Sequence, residues 1–130
     1  MIVVDASAVI ELVARSPAGL RVAERVSGAD ETLHAPHLID VEVAHALRRL
    51  TLAGAISTRT ATARLAALAT LAVERYPHTD LLARIWELRE NVTAYDAAYL
   101  ALAEALGAPL LTCDRALLDV PGCSALVETP

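Results

Sequence analysis

Short, wholly apolar runs along this chain alternate with longer stretches whose apolar residues recur every three or four positions. The runs read as strands buried on both faces, and the stretches as amphipathic helices. Ile2-Val3-Val4 is the first strand and stops at Asp5, after which Ala6 to Ala14 reads as a helix. Ser16-Pro17, a cap followed by a first-turn proline, opens a second helix to about Ser27, with Gly28 as its stop. Thr32 to Ala35 fits a second buried strand, and Pro36 begins a helix that runs to about Ala53 and ends at Gly54. Ser57 or Thr58 caps a helix from Thr60 to about Ala69. Ala72 to Tyr76 alternates like an exposed edge strand and is stopped by Pro77. Thr79 or Asp80 caps Leu81 to Arg89, and Thr93 caps a strongly apolar helix from Ala94 to Leu106, closed by Gly107. Pro109 to Thr112 is a buried strand, Arg115 to Leu118 a short helical turn, and Ala125 to Val127 a last strand.

This alternation predicts one three-layer α/β/α domain over residues 1–130, with a parallel sheet covered on both faces. In such sheets ligands collect beyond the carboxyl ends of the strands, where the strand order reverses. Asp5 and Asp114 each come immediately after a strand, so both are expected in that crevice.

Composition narrows the chemistry. The apolar share is 55%, without Phe, yet no apolar run reaches the roughly 20 residues needed to cross a bilayer. The start also lacks the basic stretch of a secretory leader, so a soluble, cytoplasmic chain is expected. Cys113 and Cys123 have no zinc-like spacing and are read as small buried or half-buried side chains. Sixteen acids oppose eleven bases, and every base is Arg. Without Lys there is no Walker-type phosphate loop. The same absence argues against receiver domains and aspartate-nucleophile phosphatases, families that use a Lys beside the phosphorylated Asp. A net charge of −5 argues against broad electrostatic binding of nucleic acid, leaving local contacts through a metal and a few Arg.

Four acids remain without an obvious partner. Asp5 has no base within nine residues; its structural role would be to cap the following helix. Glu42 falls on the margin of the apolar arc of its helix, between Leu38 and Ala46, where snorkelling into solvent is the plain alternative. Asp96 sits in the first turn of an apolar helix with no base three or four positions away, although Thr93-x-x-Asp96 also has capping-box spacing. Asp114 is either a site residue or a turn residue paired with Arg115. Two carboxylates about 4 Å apart repel by roughly 4 kcal/mol at an effective dielectric near 20. Convergence of four is therefore costly without a cation. Mg²⁺ fits, as a hard ion that takes oxygen ligands and keeps several waters. The four His residues show no ligand spacing, which disfavours zinc.

These residues resemble a known family. Val4-Asp5-Ala6-Ser7-Ala8 looks like the first PIN-domain motif, and Pro36 to Arg48, with Glu42, like the second. Thr93 to Ala103, with Asp96, and Leu111-Thr112-Cys113-Asp114 look like the third and fourth. Order and separation are similar to those of VapC-like toxins of toxin–antitoxin pairs, over nearly the whole chain. The resemblance implies a five-stranded parallel sheet, Mg²⁺- or Mn²⁺-dependent endoribonuclease activity, a homodimer and a cognate antitoxin partner. It also implies that Asp5, Glu42, Asp96 and Asp114 form the catalytic site, with Asp5 and Asp96 as direct metal ligands. Glu42 and Asp114 would be further ligands, direct or through water, and would position the attacking water; Thr112 fits a supporting polar position. Two competing readings use the same residues: a non-catalytic PIN-like module that binds RNA or protein, and a metal-dependent phosphatase or DNA-directed nuclease.

Overall fold

Ile2, Val3 and Val4 are sealed from solvent and form β1 (Ile2–Val4), the middle strand of the sheet, in a computed structural model that describes residues 1–130. The other strands are β2 (Leu33–Pro36), β3 (Val73–Tyr76), β4 (Leu110–Leu111) and β5 (Val127–Glu128). They lie in the order β3-β2-β1-β4-β5, and every pair is parallel. Val3 is level with His34 on one side and Leu110 on the other. β3 is an edge, which explains why Val73 is buried while Glu74 faces water.

Six helices cover the sheet: α1 (Ala6–Ala14), α2 (Pro17–Arg25), α3 (Leu38–Leu52), α4 (Thr58–Thr70), α5 (Leu82–Glu87) and α6 (Ala94–Leu106). The first two crossovers step from β1 outward to β3, and the third steps back past β1 to β4. Right-handed connections therefore put α1 to α4 on one face and α5 and α6 on the other. Packing agrees. α1 meets α2, α3 and α4, while α6 lies on β1, β2 and β4 beneath α5. Residues Ala97 to Ala103 of α6 are buried without interruption, as its nearly all-apolar sequence requires. Gly19 lets α2 cross α1 closely, since a Cβ there would stand 1.9 Å from the Glu11 carbonyl oxygen. No helix is long and apolar enough to cross a membrane.

Several boundaries differ from the expected ones, each for a local reason. Pro36 ends β2 rather than opening a helix, because His37 N–H still bonds the Tyr76 carbonyl at 2.9 Å and prolongs the ladder; α3 starts at Leu38. The expected helix Leu81–Arg89 is a 3-10 turn at Thr79–Leu81 followed by the short α5, and neither Thr79 nor Asp80 is its cap. The last strand begins at Val127, opposite Leu110, rather than at Ala125.

Candidate active site

The reversal of strand order lies between β1 and β4, and the side chains that follow these two strands meet there. Buried polar residues are few in this chain: Asp5, His34 and Thr112. His34 is satisfied by Thr32 and Tyr76 at the far side of β2. The other two face each other across the crevice.

Asp5, 5% exposed, is held from three directions. Its Oδ1 accepts the Ala8 N–H at 2.8 Å, which makes it the cap of α1, and the Ser7 hydroxyl at 2.7 Å. Its Oδ2 accepts the Thr112 hydroxyl at 2.5 Å. Ser7 Oγ in turn accepts the Cys113 N–H at 2.8 Å, and Thr112 Oγ1 accepts the Asp114 N–H at 2.9 Å. Two hydroxyls thus clasp the ends of β1 and β4 around one carboxylate. Burial pushes the Asp5 carboxyl above its usual range; the three hydrogen bonds oppose that rise, and the charge of Asp96 adds to it.

Glu42 comes from α3 and is half-buried. The Tyr99 hydroxyl of α6 donates to its Oε2 at 2.5 Å. Its carboxyl is also raised, first by burial, then by Asp96 and Asp5, with the Tyr99 hydrogen bond acting against them. Asp96 sits in the first turn of α6, where its N–H bonds Thr93 Oγ1 at 3.1 Å and its Oδ2 accepts the Thr93 hydroxyl at 2.7 Å. Thr93 thus caps the helix, and the acidic position is the partner of its hydroxyl. Asp5, Glu42 and Asp96 are therefore brought within one another's electrostatic reach, and no cation is among the groups that shift Asp5 or Glu42.

Asp114 is placed differently. It is exposed, its Oδ1 accepts the Ala116 N–H at 2.9 Å, and it caps the 3-10 turn Arg115–Leu117. It is absent from the charges that act on Asp5 and Glu42. Two contributors were not singled out as site residues from sequence. Ser7 lies two positions after Asp5, and Tyr99 lies three positions after Asp96 on the same face of α6.

Do these residues suit a divalent ion? No three acidic, His or Cys side chains close into a ready-made cage. Mg²⁺ asks for less, since one or two carboxylates with retained water and substrate oxygens commonly hold it. The donor set is all oxygen, Asp96 raises the proton affinity of Asp5 and Glu42, and no base relieves either of them. That chemistry suits a hard cation, with Asp5 at the end of β1, Asp96 in the first turn of α6 and Glu42 on α3.

The family model of the PIN domain matches residues 2–122. Ribonuclease VapC1 of Mycobacterium tuberculosis is 48% identical over 121 residues, covering 92% of this chain and 90% of that protein. Ribonuclease VapC12 of the same organism is 43% identical over 128 residues, 98% of each. The crystal structure of VapBC2 from Rickettsia felis bound to a DNA fragment from their promoter superposes with a TM-score of 0.73. It covers 99% of this chain and 98% of that one at 13% identity, a likeness of fold.

Proposed function

This chain belongs to the PIN-domain family, and on that premise we propose that it is a metal-dependent endoribonuclease, the toxin of a toxin–antitoxin pair. The observation that carries the reading is Asp5: a buried carboxylate at the strand-order reversal, fixed by three donors and facing two further acids without a base. Relatives named as ribonucleases at 43–48% identity over most of both chains support RNA as the substrate.

Asp5, Asp96 and Asp114 would hold Mg²⁺ or Mn²⁺, with Glu42 as the fourth acid of the site. When bound, such an ion neutralises charge on the phosphodiester and lowers the pKa of a coordinated water. The residues supply the rest. Ser7, Thr112 and the Ala8 N–H fix both oxygens of Asp5, so its carboxylate is oriented before substrate arrives. Tyr99 occupies one oxygen of Glu42 and leaves the other to orient the attacking water and take its proton. Asp114, exposed beside Arg115, acts from the solvent side through water. Arg48, Arg49, Arg59 and Arg64 on α3 and α4 are free of ion pairs and available to the RNA backbone. The active form is a cytoplasmic homodimer held in check by a cognate antitoxin protein.

The test is cleavage of total cellular RNA by purified, antitoxin-free protein in Mg²⁺, Mn²⁺ or EDTA. Discrete fragments that require metal and disappear with Asp5→Ala and Asp96→Ala are expected. Full cleavage by either variant overturns the proposal, and metal-independent RNA binding without turnover favours a binding module.

A further inference from the structure

We propose that the concavity between α3 and the first turn of α6, walled by Val41, His45 and Tyr95 and bordered by Glu42, is a nucleobase subsite. It would take the base next to the cleaved phosphodiester, and so it rests on the nuclease reading above. The cavity measures about 360 Å³, within the size range of small-ligand sites. It shares Glu42 with the acidic site, so a phosphodiester held there has one of its two nucleosides at this wall.

The walls are unusual for this chain. Aromatic residues make up 3% of it, one Trp and three Tyr. Tyr76 and Tyr99 spend their hydroxyls on His34 and Glu42, and Arg89 covers the Trp86 ring at 5.0 Å. Tyr95 is 63% exposed and Val41 72%. The hydrogen bonds that knit α3 to α6 and close the first turn of α6 use Glu42, Tyr99, Thr93 and Asp96. They leave the Tyr95 hydroxyl and the His45 imidazole unengaged.

The geometry is also held in place. Val41 and His45 are four residues apart and share a face of α3, while Tyr95 and Tyr99 are four apart on α6. The Tyr99–Glu42 bond therefore clamps the two walls one helical turn from Tyr95. A flat ring fits such a slot: it stacks on Tyr95, packs on Val41, and finds His45 at its edge, beside the Glu42 carboxylate. An apolar protein side chain would bury that carboxylate edge without offering it a donor. Stacking accepts any base, whereas His45 at the edge can rank them.

Binding of the four nucleoside 5′-monophosphates and of ribose 5-phosphate to the full chain in Mn²⁺ tests this, beside cleavage of a short RNA. The nucleotides should bind about tenfold more tightly than the bare sugar phosphate. Tyr95→Ala should abolish that gain without weakening ribose 5-phosphate, and Tyr95→Phe should retain it. In cleavage, Tyr95→Ala should raise KM about tenfold with kcat kept, and His45→Ala should change the ranking of the bases. RNA cleavage by the wild type with equal binding of sugar and nucleotides overturns the subsite and leaves the nuclease reading intact. A Tyr95→Ala variant that keeps the base-dependent gain but sediments as a smaller species overturns it too, and marks the slot as an interface between copies of the chain. Absence of metal-dependent cleavage by the wild type removes the nuclease reading and the subsite together.

Discussion

The hydroxyl of Tyr99 donates a 2.5 Å hydrogen bond to Glu42 Oε2 across 57 positions of sequence. It is the link between the helix that carries Asp96 and the helix that carries Glu42. Because α3 and α6 lie on opposite faces of the sheet, this bond spans the carboxyl ends of the strands, where Asp5 sits. Tyr99 is 2% exposed, so its ring is core and only its hydroxyl belongs to the site.

Tyr99→Phe separates those two roles. The ring stays packed and one hydrogen bond to a carboxylate is lost, at a cost of about 1 kcal/mol, or roughly 4 °C in Tm. Cleavage should fall in kcat, with KM for RNA unchanged, because Glu42 loses its fixed orientation and no substrate contact is removed. An unchanged kcat would show that Glu42 needs no such support.

The acidic cluster should also be visible in stability against pH without any metal. The Glu42 carboxyl is raised above its ordinary 4.5, first by burial, then by Asp96 and Asp5. A carboxyl that holds its proton more tightly folded than unfolded weakens the fold when it ionises. Stability is full below the ordinary value and is lost as pH rises through the raised one. Glu42→Gln removes that loss and still accepts the Tyr99 hydroxyl. Urea midpoints in EDTA between pH 4.5 and 8 should show the variant gaining on the wild type as pH rises. A gap that does not change with pH would mean that the carboxylates feel one another too weakly to matter.

Much of this site was legible in the chain because polar residues are rare where strands end and where an apolar helix begins. Asp5 and Asp96 stand out by that rule: Asp5 caps α1 and faces the acidic cluster, while Asp96 is the residue that Thr93 caps and its charge acts on Asp5 and Glu42. Tyr99 was not legible, since its partner lies 57 residues away and its own helix shows only an aromatic among apolar neighbours. Asp114 shows a different limit. Its place after β4 follows from the apolar run before it, but the direction of its carboxylate is a local choice that the Ala116 N–H decides. Pro36 misled for a similar reason: a proline can open a helix or end a strand, and the ladder to β3 selected the second.

Away from the cleft, Glu104 of α6 anchors the final loop through Arg84, at 2.7 and 3.0 Å, and the Ser124 N–H at 2.7 Å. Arg84 above all, with Ser124, holds its carboxyl down at about 2, against an ordinary 4.5. The sign is opposite to that of Glu42: the stabilisation is present above about pH 4.5 and lost as pH falls toward 2. Glu104→Gln should cost about 1 kcal/mol at pH 7, kept modest by solvent screening at Arg84. The gap to wild type should narrow as the pH is lowered from 4.5 to 3, and cleavage per folded molecule should be unaffected. A gap that persists in acid would assign the effect to packing rather than charge.

Glu104→Gln then serves as the control for the ion itself. A cation that binds only the folded chain stabilises it by about 1.4 kcal/mol at ten times its Kd, roughly 5 °C in Tm. Mg²⁺ or Mn²⁺ at that concentration should produce such a rise in wild type and in Glu104→Gln alike. Asp96→Asn keeps an oxygen that can accept the Thr93 hydroxyl but removes one charge that faces Asp5 and Glu42. If that substitution weakens the ion about tenfold, the same dose reaches only its Kd and the rise shrinks to about 0.4 kcal/mol, or ~1.5 °C. An undiminished rise in Asp96→Asn would put the ion elsewhere on this acidic chain. Loss of the rise in Asp96→Asn alone would tie the ion to the same carboxylates whose mutual repulsion gives it a reason to bind.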